Sequence, residues 1–139
     1  MVAYSKSYLE EIVETQGLLF EYIADMRPTV DVEDFIVSYM QSQTRSFIDR
    51  ADAYTSTKNK RELFEFFCET DHYVLRPGAG MDGFMPNWIG QFYAYYQWQN
   101  ELSSRELIKL LPLDFMKAAY PGLHDLELDL AVAKVAKAL

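Results

Sequence analysis

The sequence predicts an all-α fold, an irregular single-domain bundle of about six helices with a central aromatic-rich helix. Three observations carry this prediction. Apolar residues recur at helical spacing along most of the chain, and no segment alternates with a period of two. Helix start signals precede several of these apolar patterns. Half of the 139 residues are apolar, enough for residues 1–139 to form one domain with its own core.

The first two helices are marked by capping residues. Ser7 and Glu10 have the spacing of a capping box, which predicts that helix one begins there. An Arg-Pro step at Arg27-Pro28 disfavours continuation, so this helix is expected to end near Met26. Asp31 is expected to cap a second helix whose apolar side runs to Ile48.

A polar connection over 53–58 separates the second helix from the third. Asn59 and Glu62 restart the helical pattern, which runs to about His72. Glycine and proline then concentrate within 73–85, which predicts the one long loop of the chain.

The aromatic helix is expected over 86–98, because Pro86 suits a first helical turn and large rings follow at helical spacing. Ser103 and Glu106 repeat the capping-box spacing and begin a helix that Pro112 interrupts. The Tyr120-Pro121-Gly122 step predicts another break, and an alanine-rich helix follows to the end of the chain.

The charge of the chain is unevenly distributed. The net charge is −8, and residues 1–34 carry −6 of it, from eight acids against two cations. This balance argues against direct binding of nucleic acid or of an anionic membrane, and it favours a basic protein partner. Short apolar runs, no signal-peptide pattern and a single cysteine predict a cytoplasmic protein in a reducing compartment.

Four acids of helix one form a stripe. Glu10, Glu14, Glu21 and Asp25 stand at i, i+4, i+11 and i+15 and so share one helical face. Like charges at this spacing are mildly destabilising, and no lysine follows them at i+4. The stripe predicts a docking face for a basic partner. The alternative is a solvated face that keeps the protein soluble.

Aromatic residues of the predicted central helix also allow two readings. Tyr93, Tyr96 and Trp98 carry amphipathic rings of the kind enriched at binding hot spots, which makes them candidates for partner binding beside the acidic stripe. As members of the core, the same rings would contribute burial alone, which is the commoner case at helical spacing.

An enzyme remains an alternative. Cys68 and His72 are four residues apart on a predicted helix, and His124 could join them as a metal ligand or as a base for a thiol nucleophile. Two ligands do not make a metal site, so no metal or other cofactor is predicted. The glycines of 78–83 match GxGxxG, but a helical pattern precedes them, which is the wrong context for a dinucleotide site. A structural homo-oligomer that uses the aromatic helix as its interface is the third alternative.

The C-terminal segment Ser103–Ala131 reads SSRELIKLLPLDFMKAAYPGLHDLELDLA, with a Tyr-Pro-Gly-Leu-His spacing at 120–124. It resembles the ends of small helical bacterial proteins of uncharacterised function from compact gene cassettes. The resemblance covers under a quarter of the chain and names no active-site residue. It implies a bacterial or phage-borne protein that acts on another macromolecule, such as an antitoxin or a nuclease inhibitor.

Overall fold

The computed structural model describes residues 3–26 and 29–139, and its regular secondary structure is helical. Nine helices follow one another in these residues: α1 (Lys6–Met26), α2 (Val32–Met40), α3 (Gln43–Asp49), α4 (Ala53–Ser56), α5 (Lys60–Asp71), α6 (Met85–Gln99), α7 (Ser104–Leu110), α8 (Leu113–Leu123) and α9 (Leu128–Ala138). The all-α prediction is confirmed. The described residues nevertheless hold more helices than the six predicted, because short polar segments divide the chain more finely than apolar spacing indicates.

Two side-chain caps account for the additional helices of the first half. The Ser42 hydroxyl accepts a hydrogen bond from the Arg45 backbone N–H at 2.9 Å, so α3 begins anew where one continuous helix was expected. The Asp52 carboxylate accepts from the Thr55 N–H at 3.1 Å and caps the short α4, which occupies part of the predicted connection.

Three of the predicted helix starts are confirmed by their caps. The Asp31 side chain accepts from the Asp34 N–H at 2.9 Å, at the beginning of α2. Complete capping boxes open α5 and α7, with Asn59 and Glu62 in the first and Ser103 and Glu106 in the second.

Two of the predicted boundaries are wrong. Helix α1 begins at Lys6, so Ser7 lies inside its first turn rather than at a cap. Pro121 lies inside α8, which continues to Leu123. A proline this close to a helix end removes a single hydrogen bond, so the last turn still forms. Helix α1 ends at Met26 as expected, and the Arg27-Pro28 step lies outside the described residues.

Helices α1 and α6 share the most extensive contact among the described helices, and two glycines allow it. A Cβ at Gly90 would lie 2.6 Å from the Gln16 carbonyl oxygen, and one at Gly17 would lie 2.8 Å from Cγ of Gln91. At Gly90 the three nearest atoms are backbone atoms of α1, so no side chain fits there and the two backbones approach closely. At Gly17 a side chain would displace those of Gln91 and Asn87. Ten of the 15 residues of α6 are buried.

The predicted loop over 73–85 is tied to the segment between α1 and α2. The Asp31 N–H donates to the Arg76 carbonyl at 2.8 Å, and the Gly78 N–H donates to the Thr29 carbonyl at 2.6 Å. An isolated antiparallel bridge joins Val30 and Pro77 in the same region. Within the described ranges, no helix combines the length and the apolar character needed to cross a bilayer.

Candidate protein-docking site

The predicted acidic stripe lies on the outer face of α1. Glu10, Glu14 and Asp25 are exposed, and Glu21 is half-buried. Across residues 3–26 and 29–139, no lysine, arginine or histidine nitrogen lies within 4.0 Å of any of these four carboxylates, since the ion pairs present join other acids. The stripe is therefore a run of negative charge without a local counterion in this part of the chain.

An open groove runs beside the first half of the stripe, between α1 and α6. Its volume is about 490 Å³. We call it the α1–α6 groove, and its walls are formed by Leu9, Glu10, Val13, Glu14, Leu18, Phe84, Asn87, Gln91, Tyr95 and Leu128. Leu9 and Val13 are buried and form part of the apolar wall, whereas Phe84 is 50% exposed. The groove thus combines an apolar surface with two carboxylates from α1.

The aromatic residues of α6 divide between the core and this groove. Tyr93 is fully buried, and its hydroxyl donates to the Leu111 carbonyl at 2.6 Å. Tyr96 is 3% exposed and stacks on Phe92 with ring centroids 5.9 Å apart. Burial raises the pKa of both phenols. The prediction that Tyr93 and Tyr96 present their rings to a partner is corrected, because both rings belong to the core.

Tyr95 is the tyrosine of α6 that reaches the groove, and sequence analysis missed it. Its ring lies 5.6 Å from that of Trp98, and both side chains are half-buried. Asn87, Gln91 and Tyr95 follow one another at intervals of four and line the groove together. This spacing places the three residues on one face of the helix and could have been recognised in the sequence. Apolar residues cover most of the circumference of α6, however, so the sequence does not indicate which face is open.

The described structure does not assemble the residues of the alternative enzyme site into a group that could hold a metal ion. Cys68 is half-buried on α5, where burial and the neighbouring Glu69 raise the pKa of its thiol. His72 caps the C-terminus of α5 in the left-handed conformation, with φ of 54°. His124 stacks on Tyr120 with centroids 4.5 Å apart. No group of three or more His, Cys, Asp and Glu side chains that could hold a metal ion occurs in residues 3–26 and 29–139.

A buried cluster around Arg45 is the main polar feature that sequence analysis did not anticipate. Arg45 is fully buried on α3 and donates in three directions. Its Nε bonds Gln16 at 2.8 Å, one Nη bonds Asp49 at 2.7 Å, and the other Nη bonds Gln97 at 2.9 Å. The Gln16 amide in turn donates to the Gly90 carbonyl at 2.8 Å. One guanidinium therefore connects α1, α3 and α6.

The carboxylate of Asp49 completes the Arg45 cluster. One of its oxygens also accepts from the Gln97 amide, and the other accepts from the Ser104 backbone N–H at 3.0 Å. This second oxygen brings the start of α7 into the cluster. A buried ion pair is tolerated only when its remaining hydrogen-bonding groups find partners, and here the partners come from three other helices, α1, α6 and α7.

Tyr4 covers the Arg45 cluster from the N-terminal segment. The Arg45 guanidinium lies 5.6 Å from the centroid of the Tyr4 ring, whose hydroxyl donates to the Ala94 carbonyl. Burial, opposed by Arg45, raises the pKa of the Tyr4 phenol to about 12. Burial alone would lower the pKa of Arg45, but Tyr4 and Asp49 outweigh it and the net direction is upward. The cluster is a charged, internally bonded connection between helices.

Comparison of the chain with protein-family models, with curated proteins and with solved structures finds no match.

Proposed function

We propose that the protein is a non-enzymatic protein-binding or neutralising module, antitoxin-like or inhibitor-like, that docks a basic partner on the acidic face of α1. The observation that supports this proposal most directly is the stripe of Glu10, Glu14, Glu21 and Asp25, which has no local counterion in the described residues. Aligned like charges lower helix stability slightly, so a partner's cations offer them their best compensation.

The α1–α6 groove determines what kind of basic partner fits. Its apolar wall can bury the apolar side of a bound segment, which is the main source of affinity. Glu10 and Glu14 at the groove can pair with that segment's cations, which accelerates association and fixes orientation. The partner segment we propose is an amphipathic basic helix, a form commonly bound in grooves of this type.

Several finer properties belong to the same proposal. We place the protein in the cytoplasm of a bacterium, or among phage-borne proteins, since its single Cys68 is a free thiol and its C-terminal segment resembles small bacterial proteins. Helix α6 is proposed as the hub of the fold. In the alternative, a structural homo-oligomer, α6 is the interface between copies, so the mass of the protein in solution distinguishes self-association from partner docking.

The test is a titration with a designed amphipathic helix of leucine and lysine, followed by calorimetry at about 50 mM and about 500 mM salt. We expect saturable binding that weakens with salt, because exposed charge pairs are screened at high ionic strength. The double variant Glu10→Lys and Glu14→Lys should lose most of this binding. Replacing the peptide's leucines by serine at the same charge should weaken binding too, since the apolar wall then has nothing to bury.

The matched control reverses Glu65 and Glu69, two exposed acids four residues apart on α5. This double variant changes the net charge by the same amount and should retain binding. Equal losses for the two double variants would show attraction to overall charge alone and would overturn the proposal. An affinity that changes neither with salt nor in the Glu10→Lys and Glu14→Lys double variant would overturn the proposal as well.

A further inference from the structure

A cluster of three aromatic rings lies on the surface around α4, outside the main core. The centroid of the Phe66 ring lies 6.4 Å from that of Phe47 and 6.0 Å from that of Tyr54. None of the three belongs to the core cluster, and Tyr54 is 68% exposed. Phe47 and Phe66 are half-buried beside it. Contiguous apolar surface that is rimmed by polar groups is typical of an interaction site.

The rings border an open cleft of about 480 Å³, a volume in the range of small-molecule sites. We call it the Tyr54 cleft, and it is lined by Phe47, Arg50, Asp52, Tyr54, Thr55 and Phe66. Two cations lie over its rings. Arg50, which belongs to the lining, has its guanidinium carbon 5.1 Å from the Phe47 centroid. Lys58 lies beside the cleft, with its Nζ 3.9 Å from the Tyr54 centroid and 5.2 Å from that of Phe66.

These cations are available to an anion. In the described residues neither Arg50 nor Lys58 has a carboxylate oxygen within 4.0 Å, and the hydrogen bond from Arg50 goes to the Ser46 hydroxyl. The segment 50–61 contains four cations and one acid, a local charge of +3 in a chain whose net charge is −8. The local charge around the Tyr54 cleft is therefore positive, whereas that of the acidic stripe of α1 is negative.

Rings and cations in one cleft are complementary to a planar aromatic group that carries a negative charge. We propose that the Tyr54 cleft binds a mononucleotide, with its base against Tyr54 and Phe66 and its phosphate held by Lys58 and Arg50. Bases stack on aromatic side chains regardless of base identity. Lysine and arginine are the usual hydrogen-bond donors to phosphate oxygens. Asp52, the acid in the cleft, is held by Thr55 through two hydrogen bonds, of 3.1 and 2.7 Å, and can accept an N–H of the base.

The probe is adenosine monophosphate, compared by calorimetry with adenosine, with inorganic phosphate and with a short single-stranded oligonucleotide. We expect the monophosphate to bind about tenfold or more tightly than either adenosine or phosphate, since each of these lacks one of the two interactions. Chemical-shift changes should concentrate on Tyr54, Phe66 and Lys58. Tyr54→Ala and Lys58→Gln should each lower the affinity about tenfold or more.

Matched controls are Phe115→Ala, which removes an exposed ring of α8, and Lys109→Gln, which removes an exposed cation of α7. Both should bind as the unchanged protein does. Absence of saturable binding, or equal binding by Tyr54→Ala, overturns the proposal. Phosphate binding as tightly as the monophosphate overturns it too, as does binding of the oligonucleotide alone. Since Tyr54 and Lys58 lie outside the α1–α6 groove, these results do not depend on the peptide titration.

Discussion

The polar side chains on the two faces of α1 differ in whether they have partners within the described structure. On the buried face, the Gln16 amide accepts from Arg45 and donates to the Gly90 carbonyl, so both ends of this side chain are bonded. On the outer face, Glu10 and Glu14 stand exposed without a cation in the described residues. Polar groups that are bonded within the chain contribute to folding, whereas exposed and unmatched charges remain available to another molecule. The proposed function depends on this difference.

The largest expected effect on stability comes from removing Arg45, which is bonded to the buried face of α1. Arg45→Ala should lower the free energy of unfolding by about 3–5 kcal/mol, because Asp49 would remain as a buried carboxylate without its cation. Urea denaturation at pH 7 measures this loss. Arg61→Ala is the control, since the exposed Arg61 lies 3.5 Å from Glu65 and such surface pairs contribute under about 1 kcal/mol. Similar losses in the two variants would contradict a structural role for the Arg45 cluster.

An intermediate effect is expected where the buried face of α1 meets α6. Gly90→Ala should cost about 1–3 kcal/mol, because the new Cβ would lie 2.6 Å from the Gln16 carbonyl oxygen and the helices must separate. Gly122→Ala in α8 is the matched control, since a Cβ there meets no atom within 4 Å. Alanine is the better helix former, so this control should gain up to about 1 kcal/mol. Thermal and urea unfolding report both values, and a neutral Gly90→Ala would refute the close helix contact.

The smallest expected effect on stability comes from replacing Glu14 on the outer face of α1. Glu14→Lys should raise the free energy of unfolding by about 0.2–0.5 kcal/mol, because it replaces a like-charge pair with Glu10 by an attractive one. The gain should shrink at high salt. Glu14→Gln, which removes the charge without reversing it, should produce a smaller gain in the same urea titration. A loss above about 1 kcal/mol for either variant would mean that Glu14 is needed for folding.

Local signals in the sequence predicted much of the fold. Asp31, Asn59 and Ser103 cap helices through bonds to residues three positions ahead, so their role can be read from spacing alone. Ser42 also caps a helix, but apolar residues on both sides of it follow one helical pattern and concealed the break. Hydrophobic spacing marks which residues are buried and does not mark where the backbone turns.

The polar interior could not be predicted from the sequence, because it depends on contacts distant along the chain. Gln16, Arg45 and Gln97 come from three separate helices, and each alone resembles an ordinary surface residue. The acidic stripe could be predicted because it lies within one helix. Tyr95 falls between these cases, since helical geometry gives its neighbours but the position of α1 decides which side of α6 is open.

The contact between α1 and α6 also has a consequence for biosynthesis. Residues 6–26 leave the ribosome before residues 85–99, and their main packing partner is complete only when residue 99 has been translated. Closure of so long a stretch of chain is slow compared with the formation of a single helix. A nascent chain therefore exposes the apolar side of α1 until α6 has followed it out of the ribosome, and exposed apolar surface of this kind favours chaperone binding.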